Sequence, residues 1–586
     1  DGPSQGSPGA WSGISFNGSS HGSRLQGVTV RYGRRNLYLY RSSLTLREST
    51  LAEASAKGID LNTPDAASQI VGNEITGSGK AGIKLYGGTD GTVIRGNRIT
   101  NGSSHAIYAV SNTPVIADNE LLDNAGHGVY FNSAGGGEPL TGNTITGNAV
   151  ALRVPFSMLP APGGGNVLAP NERSVIEIVG DTRTAELRLP LGDIRQYRLH
   201  GDATVAAGTR MRVAEGVVWK AGGSGSQLFV KGALLAEGTA ESPVVFTSYR
   251  DDSAGGDTNG DGASTGAPGD WGGLVYQGEA TPLLSGLTHT EIRYAGGNNN
   301  SRRNAALVLN APVTVSDSAV VASARNGIRI DKAGARVERT TVRGSDWSGI
   351  TVEGDHWNDA PAQLEDNVIR DAGGQGIRVH SAAPSLVDND IRGGGEFGIQ
   401  YTDTVRHGPP VIRGNTVVDN ERGVRLPASA LPGPDAGNVL VPNHRDGVWV
   451  VGTDREADLE LAVQEAAEGE AQARTYHVSG ELHMRDGTQL AVAPGVVMKF
   501  APEARLRVDG GLSVPGTASA PVVFTSERDD ARGGDFNADG YASLPRPGDW
   551  RGLELRGDDA AATLSHVEVR YAGGNGDPAV SARERA

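Results

Sequence analysis

A short motif recurs along the chain at nearly constant spacing, and this repetition limits the folds that the chain can adopt. In the first half the repeated Asn residues are Asn73, Asn97, Asn119 and Asn143, at spacings of 24, 22 and 24 residues. Each lies in a segment of alternating apolar and polar residues, such as IRGNRIT at 94–100. This alternation predicts short strands with one buried face, while Gly and Asn predict corners with positive φ. Three such strands and three corners need about 20–25 residues, which is one turn of a parallel β-helix.

The second half repeats the same pattern in LEDNVIR (364–370), LVDNDIR (386–392) and IRGNTVV (412–418). A single turn leaves its strand edges unpaired, so turns must stack on one another. Asn residues at one corner of successive turns would then form a hydrogen-bonded ladder; the alternative is a row of ligand-binding amides. The sequence therefore predicts an all-β, right-handed parallel β-helix solenoid of about 25 turns, continuous along the chain; the hand follows the general preference of crossover connections.

A second repeat has a much longer period. The segment SPVVFTSYRDDSAGGD (242–257) recurs as APVVFTSERDDARGGD (520–535), and VAEGVVWK (213–220) recurs as VAPGVVMK (492–499). A cut copy of the same unit begins at Asp1, so we expect the sequence to be a segment of a longer repetitive chain. The predicted long repeats are 1–260 (truncated), 261–539 and 540–586 (truncated), all within one solenoid.

Composition narrows the possible functions. The 586 residues carry a formal net charge of −15 with acidic and basic residues interspersed, so no nucleic-acid partner is expected. No apolar run approaches 18 residues, so no membrane span is expected in this segment. The chain has no Cys, which excludes disulfides and thiolate metal sites. These features fit a bacterial extracellular or cell-surface protein.

One loop of the long repeat has the pattern of a metal site. It reads GGDTNGDGASTGAPGDWGG at 255–273 and GGDFNADGYASLPRPGDWRG at 533–552. The pattern D-x-[DN]-x-[DN]-G is the first half of a calcium loop, and Ca²⁺ requires six to eight oxygen ligands. The Glu expected at the twelfth position is replaced by Pro268 and Arg546, so further oxygens must come from nearby acids. The predicted structural Ca²⁺ ligands are Asp257, Asn259 and Asp261 with Asp251, Asp252 and Asp270, and Asp535, Asn537 and Asp539 with Asp529, Asp530 and Asp549.

The alternative for this loop is a solvated Gly/Asp turn without metal. Clustered carboxylates repel one another unless a cation is present, which favours the metal site. Trp11, Trp271 and Trp550, which end the three copies of the loop, are predicted to pack as hydrophobic anchors.

The longer block, VVxK…GxLxxxGTAxxPVVFTSxxDDxxGGDxNxDG…GDWxGL, resembles segments of large bacterial surface and secreted β-helix proteins. The short pattern G-N-x-I-T followed by x-G-I resembles the repeats of the carbohydrate-binding and sugar-hydrolase β-helix family. The resemblance implies the fold and leaves the function open, since such proteins include lyases, hydrolases, epimerases, adhesins and fibres. The longer block is carried by residues 217–220, 232–262 and 269–274, and again by residues 496–499, 510–540 and 548–553.

No complete catalytic motif is present. Gly126-His127-Gly128 resembles one polygalacturonase motif, but the partner motifs are missing, so His127 is predicted to be a solvated corner residue. The loop VEGDHWNDAP (352–361) has no counterpart elsewhere in the chain. An exposed Trp between acids can stack on a sugar ring, so Asp355, His356 and Trp357 are candidate ligand-binding residues.

Two functions remain open. The sequence favours a structural or adhesive extracellular fibre with calcium-stabilised loops, whose partners are copies of itself or surface glycans. The alternative is a polysaccharide-binding or polysaccharide-degrading protein, a lyase or a glycosidase. Whether the chain is an enzyme is undecided, and the absence of a single unmatched catalytic cluster favours a non-enzymatic role.

Overall fold

The computed structural model contains two compact units, Asp1–Arg303 and Asn304–Ala586. The parts of the chain that the structure describes form about 22 turns of parallel β-solenoid. The described residues are 5–18, 20–87, 91–111, 113–133, 137–277, 285–297, 304–331, 334–354, 360–403, 405, 408–465, 472–473, 475–540, 542–557 and 560–583.

In the first turns of the first unit, three parallel sheets run along the solenoid, and a turn typically contributes one strand to each of them. The long sheet contains Ile14–Asn17, Arg35–Tyr40, Lys57–Asn62, Ile83–Tyr86, Ile107–Val110, His127–Phe131, Val150–Pro155, Val175–Val179, Gln196–His200, Val218–Val230, Val244–Ser248 and Thr290–Arg293. The second contains Ser23–Gln26, Leu44–Arg47, Gln69–Val71, Val93–Arg95 and Val115–Ala117, and the third contains Thr29–Arg31, Thr50–Ala52, Glu74–Thr76, Arg98–Thr100, Glu120–Leu122 and Thr144–Thr146.

The later turns of this unit continue the same architecture with different strand partners. Val218–Val230 is long enough to pair in two directions, because it bends at its glycines between two sheet faces. The remaining strands are Thr182–Arg183, Ala203–Val205 and Trp271–Gln277 in one ladder and Leu187–Leu189, Arg210–Ala214, Ala233–Glu237 and Gly286–Thr288 in another, with a 3₁₀ turn at Phe156–Met158.

The second unit has the same construction. Its long sheet contains Ala305–Asn310, Asn326–Ile330, Ile350–Glu353, Ile377–His380, Phe397–Tyr401, Arg422–Pro427, Arg445–Val451, Thr475–Ser479, Val497–Phe500, Val522–Ser526 and Val567–Val569. Two further ladders lie in its first turns: one contains Ala319–Ser323, Thr341–Ser345, Val368–Arg370, Asp390–Arg392 and Thr416–Val417, and the other contains Thr314–Ser316, Arg336–Glu338, Gln363–Glu365, Ser385–Val387 and Val411–Arg413. Two more lie in its later turns: one contains Asp454–Arg455, Glu481–Met484, Arg505–Val508, Gly552–Arg556 and Val580–Arg583, and the other contains Leu459–Leu461, Gln489–Val492, Gly511–Pro515 and Ala561–Ser565. A short antiparallel pair, Gln464–Glu465 with Gln472–Ala473, and 3₁₀ turns at Ala428–Ala430, Pro434–Ala436 and Gly574–Gly576 complete it.

The core of each unit consists of aliphatic side chains stacked in register from turn to turn. In the first unit Leu37, Ile59, Ile83, Ile107 and Val129 are successive partners along the long sheet. Each of these side chains is at most 1% exposed. Because every inward position meets an apolar residue of the next turn, burial is continuous along the stack. None of the helices in the described part of the chain has the length and apolar character needed to cross a lipid bilayer.

The predicted Asn ladder is confirmed. The side-chain amide of Asn73 donates to Asn97 Oδ1 at 2.9 Å, and Asn97 donates to Asn119 and Asn119 to Asn143, each at 3.0 Å. The ladder continues to Asn166 at 3.1 Å. Each of these side chains satisfies backbone groups at a corner that strands cannot pair. The second unit has the equivalent ladder of Asn367, Asn389, Asn415 and Asn438.

The corner residue before each Asn explains the frequent glycines. Gly72, Gly96 and Gly142 precede three of the ladder residues, with φ values of 67°, 63° and 65°. Asp118 occupies the same position before the remaining ladder residue, Asn119, with a φ of 56°. A left-handed conformation at this corner favours Gly, as predicted, and tolerates Asp. The ladder Asn residues themselves do not have positive φ, so the prediction is wrong for these Asn residues.

A further Asn ladder was not predicted. Asn124 donates to Asn148 at 3.0 Å, and Asn148 donates to Asn171 at 3.3 Å. Asn420 and Asn443 repeat this contact in the second unit at 3.1 Å. The sequence signal was an Asn five residues after some of the first-ladder Asn residues, as in TGNTITGN (141–148), and it marks another corner of the same turn.

The Trp anchors differ between copies. Trp271 and Trp550 are fully buried, as predicted, and each indole N–H donates to a backbone carbonyl, that of Arg293 or Arg570. Trp11 makes the equivalent bond to the Arg31 carbonyl, but it is 43% exposed, so the prediction of a packed anchor is wrong there. The strand that follows Trp11 has a partner turn on one side only among the described residues, whereas Trp271 lies between paired turns.

Replacing one ladder residue should destabilise several turns together. Asn119→Ala removes bonds to the carbonyls of Ile94 and Ala117 and breaks both neighbouring ladder contacts. We expect a loss of about 2–4 kcal/mol of unfolding free energy, because buried polar groups lose their partners. Thermal denaturation followed by circular dichroism measures the loss. Asn17→Ala, at an exposed strand position, is the control, and an equal effect of both substitutions would contradict the ladder's role.

Candidate functional site

The two acidic loops leave equivalent strands, Val244–Ser248 and Val522–Ser526, and return at a buried Trp. In the first loop, oxygens of Asp252, Asp257 and Asp261 all lie within 4.8 Å of one another. Asp257 shapes the loop, because its carboxylate accepts from the backbone N–H of Gly260 at 2.6 Å and of Gly262 at 3.0 Å. These bonds, above all that from Gly260, lower the pKa of Asp257.

The second loop repeats this arrangement. Oxygens of Asp530, Asp535 and Asp539 lie within 4.8 Å of one another, and Asp535 accepts from the N–H groups of Asp539 at 3.2 Å and Gly540 at 2.9 Å. Ser543 donates to Asp539 through its backbone and its hydroxyl, and the side-chain bond is the main cause that lowers the pKa of Asp539. The two copies therefore bring the same three carboxylates together.

One carboxylate oxygen in each cluster is left without a partner. Asp252 Oδ1 and Asp530 Oδ1 are inaccessible and accept no hydrogen bond within the described structure. Burial raises the pKa of Asp530, and the nearby charges of Asp535 and Asp539 raise it further, although Lys499 opposes the shift. Each cluster thus holds an unpaired oxygen beside two further carboxylates.

The predicted Asn ligands have a different role in this structure. The amide of Asn259 donates to Asp261 at 2.8 Å, and that of Asn537 donates to Asp539 at 3.0 Å. These contacts reduce repulsion between the carboxylates by supplying N–H groups. The side-chain oxygen of Asn537 is inaccessible and has no hydrogen-bond partner in the described part of the chain.

Four other predicted ligands lie outside the clusters and hold the loop ends. Asp251 accepts from the Thr247 hydroxyl at 2.7 Å and faces Arg293, while Asp529 accepts from Thr525 at 2.6 Å. Asp270 accepts from the Ser248 hydroxyl and the Ala267 backbone N–H, and it pairs with Arg250. In the same way, Asp549 accepts from the Ser526 hydroxyl and the Arg546 backbone N–H, and it pairs with Arg528. Local hydrogen bonds and Arg partners therefore already neutralise these four acids.

A buried lysine beside each cluster was missed by the sequence analysis. Lys220 is 1% exposed and donates to the Gly256 carbonyl at 2.5 Å; Lys499 is fully buried and donates to the Gly534 carbonyl. Burial lowers the pKa of both ammonium groups, while the acids of the adjacent loop oppose the shift. The signal was available, since VVWK and VVMK end with Lys at the same place of both long repeats.

The lysines attach each loop to the outer face of the long sheet. Lys220 is the register partner of Arg198, and Lys499 is the partner of His477 on the corresponding strand. The chain therefore folds the acidic loop back over the sheet, with one ammonium between the loop and the strands. Each cluster then consists of three carboxylates, one buried cation and a covering loop.

Two other predictions concern residues away from the loops. His127 is only 9% exposed, and its Nε2 lies 3.8 Å from Glu177, so the prediction of a solvated corner is wrong. Aromatic packing explains the burial, because His105 and Tyr130 have ring centroids 5.2 and 5.1 Å away. The candidate ligand-binding residues Asp355, His356 and Trp357 lie outside the described residues.

Comparison with known proteins agrees with the architecture. The family described as "Right handed beta helix region" matches residues 12–161 and 300–462, and the "Pectate-lyase like beta helix domain" matches residues 183–308. No curated protein matches. Among solved structures, the Dettilon tailspike protein (gp208) is 14% identical with a TM-score of 0.21, and the match covers 61% of each chain.

Removing one of the buried lysines should lower the stability of the fold, because repulsion among the three carboxylates is then no longer compensated. Lys499→Met leaves three carboxylates without their adjacent cation, and we expect a loss of about 3 kcal/mol of stability near neutral pH in chelator. The pKa of Asp530 is raised, so its charge costs stability above that pKa and the cost disappears as the pH falls through it. The deficit relative to wild type should therefore shrink on acidification.

Thermal melts of wild type and Lys499→Met between pH 7 and pH 4 measure this difference. Lys231→Met is the control, since Lys231 is exposed and lies away from both clusters. A deficit that is constant with pH would show that Lys499 acts through packing and not through charge.

Proposed function

Because the chain belongs to the family of right-handed β-helix proteins, we propose that it is a structural protein of the bacterial surface or extracellular space whose two acidic loops bind calcium. The observation that carries the proposal is the convergence of three carboxylates in each loop, within 4.8 Å, at equivalent places of the long repeat. Calcium is a hard cation that binds carboxylate and carbonyl oxygens, and each cluster supplies several of them.

The charges of the clusters support a divalent ion. The other acids of the first loop, Asp251 and Asp270, face Arg293 and Arg250, so their charge is compensated. Three carboxylates and one ammonium, that of Lys220, leave two net negative charges at a place where Asp252 is half-buried and Asp257 and Asp261 are exposed. A divalent cation would balance this charge, and it would occupy the side of the cluster where Asp252 Oδ1 has no partner within the described structure.

A metal at these loops would act on the stability of the solenoid. Each loop is a long excursion between two strands, and closing such a loop costs chain entropy. Binding an ion in the folded loop alone would stabilise the turns that the loop connects, by mass action. Extracellular calcium modules typically bind in the range of about 10⁻⁴–10⁻³ M, so the proposed location and the proposed ion are consistent.

The solenoid itself suits a fibre or an adhesin. Its stability comes from contacts between neighbouring turns, so length can be added by repeating the same unit. We propose that its partners are further copies of the chain or glycans of a surface. The duplicated loops fit the role of a fibre, because a fibre that is lengthened by adding long repeats needs one stabilising ion in each repeat.

Chelation should lower the melting temperature, and calcium should restore it. At a concentration about 100-fold above the dissociation constant, one bound ion adds about 2.7 kcal/mol to stability. Asp257→Asn combined with Asp535→Asn should remove the response to calcium, because each cluster loses one charged ligand. Differential scanning calorimetry with EDTA, with calcium and with magnesium measures the effect.

Glu74→Gln is the matched control, since Glu74 is an exposed carboxylate on a strand. It should respond to calcium as the wild type does. A melting temperature that is the same in EDTA and in calcium would overturn the calcium proposal, and an equal gain in magnesium would show charge screening without a selective site.

A further inference from the structure

A row of charged and aromatic residues follows the outer face of the long sheet in the first unit. These side chains are register partners on consecutive strands, so they form one line across the stacked turns. The row contains Tyr108, Tyr130, Arg153, Glu177, Arg198 and Lys220. Its middle part differs from an ordinary solvated face, because Glu177 is only 6% exposed.

Glu177 is surrounded by nitrogen-bearing side chains. Arg153 donates to its Oε2 at 2.8 Å, and Arg198 lies 3.7 Å from its Oε1. The Nε2 atoms of His127 and His200 lie 3.8 and 3.6 Å from Oε2. We call these five residues the Glu177 cluster. Burial opposes ionisation, but the two histidines and Arg153 hold the pKa of Glu177 below its usual range.

The Glu177 cluster has more donors than acceptors. Arg153 Nε, His127 Nε2 and His200 Nε2 are inaccessible, and none has a hydrogen-bond partner among the residues described. Two guanidinium groups face a single carboxylate, so the cluster keeps a net positive charge even with neutral histidines. Buried polar groups without partners are costly, so their concentration at one place distinguishes this cluster from a fully paired ion network.

The cluster is reachable from solvent at its edge. The side chains of Arg153, Arg198 and His200 are 17%, 20% and 27% exposed. Arg198 lies over the ring of Tyr249 at 5.6 Å, and its contact with Glu177 is longer than a hydrogen bond. Among the described residues, its planar fork of N–H groups therefore has no acceptor at hydrogen-bonding distance.

The neighbouring aromatic rings limit the class of ligand. Tyr108 and Tyr130 stack with centroids 5.4 Å apart and an angle of 10°, and His105 stacks on Tyr130 at 4.4 Å. Burial lowers the pKa of His105 to about 4, so this ring is neutral at neutral pH. Since these rings cover one another's faces, they offer little surface for stacking a neutral sugar, and recognition must come from the charged groups.

The second unit shows that the fold does not require such a cluster. At the equivalent places of the long repeat, Trp449 stands for Glu177 and His477 for Arg198. There the acidic loop packs Phe536 against Trp449 at 4.9 Å, and Phe397 contacts the same ring at 5.4 Å. One copy is thus closed by aromatic packing.

In the first unit the residue equivalent to Phe536 is Thr258. Thr258 is 4% exposed, and its hydroxyl has no hydrogen-bond partner within the described chain. The same fold therefore has apolar aromatic residues at this place in the second unit, and polar groups without hydrogen-bond partners within the described chain in the first unit. A structural role alone would be served by the apolar version, because buried ion clusters are often no more stable than apolar packing.

We propose that the Glu177 cluster is a binding site for an anionic ligand that carries a carboxylate or a sulfate group, such as an acidic oligosaccharide. The anion lies at the edge formed by Arg198, His200 and Arg153, where it accepts the N–H groups of Arg198 that Glu177 does not reach. Glu177 keeps the two arginines in place and prevents their mutual repulsion. The site is independent of the proposed calcium loops.

Binding by isothermal calorimetry tests the proposal with three probes of similar size. A hyaluronan hexasaccharide carries carboxylates alone, sucrose octasulfate carries sulfates alone, and maltohexaose is neutral. We expect at least one anionic probe to bind and the neutral probe not to bind. Arg198→Gln should weaken that binding about tenfold or more, and Arg198→Lys should weaken it less, since it keeps the charge and loses the fork.

His477→Gln is the matched control, because it changes the equivalent position of the second unit and should leave binding unchanged. Binding to protein that has been stripped of calcium and then dialysed free of chelator separates this site from the calcium proposal, and melting curves establish that each variant is folded. Failure of both anionic probes to bind, equal binding of maltohexaose, or an affinity unchanged in both Arg198 variants would overturn the proposal. A preference between the two anionic probes identifies the charged group.

Discussion

The unpaired edge of each strand is the constraint on which the rest of the structure depends. A strand of three to six residues buries little by itself, and its backbone groups must be paired by the turn above and the turn below. The parallel ladders satisfy the strands, while the Asn residues satisfy the corners between them. Corner amides and core aliphatic residues therefore have to recur with the same period.

This constraint also decides where variation is allowed. Inward positions such as Ile83 and Ile107 must remain apolar, because each packs against its register partner. Outward positions on the long sheet have no such requirement, and there the two long repeats can differ, as at Glu177 and Trp449. Long excursions such as the acidic loops begin and end at strand ends, where an insertion does not disturb the stacking.

The fold could be predicted from the sequence, since periodicity reports directly which side chains face the core. The Asn97 and Asn119 contacts followed from the same reasoning, because only stacked turns place residues 22 apart side by side. The site was predicted less completely. Which acids converge depends on loop conformation: Asp252 joins the cluster, whereas its neighbour Asp251 turns toward Thr247. Adjacent residues of one loop thus differ in a way that spacing cannot distinguish.

The burial of charged groups was the second feature of the site that the sequence did not predict. Lys220 and His127 look like surface residues by composition, yet both are covered, one by the returning loop and one by aromatic neighbours. Whether such a side chain is buried depends on contacts between segments that are distant in sequence. The short sequence repeat, which corresponds to one turn of the solenoid, gives no information about these contacts. Comparing the two long repeats does supply a signal. A Lys present in both copies marks a shared structural need, whereas a Glu in one copy at the place of a Trp in the other marks a position that the stacking of turns leaves free to vary.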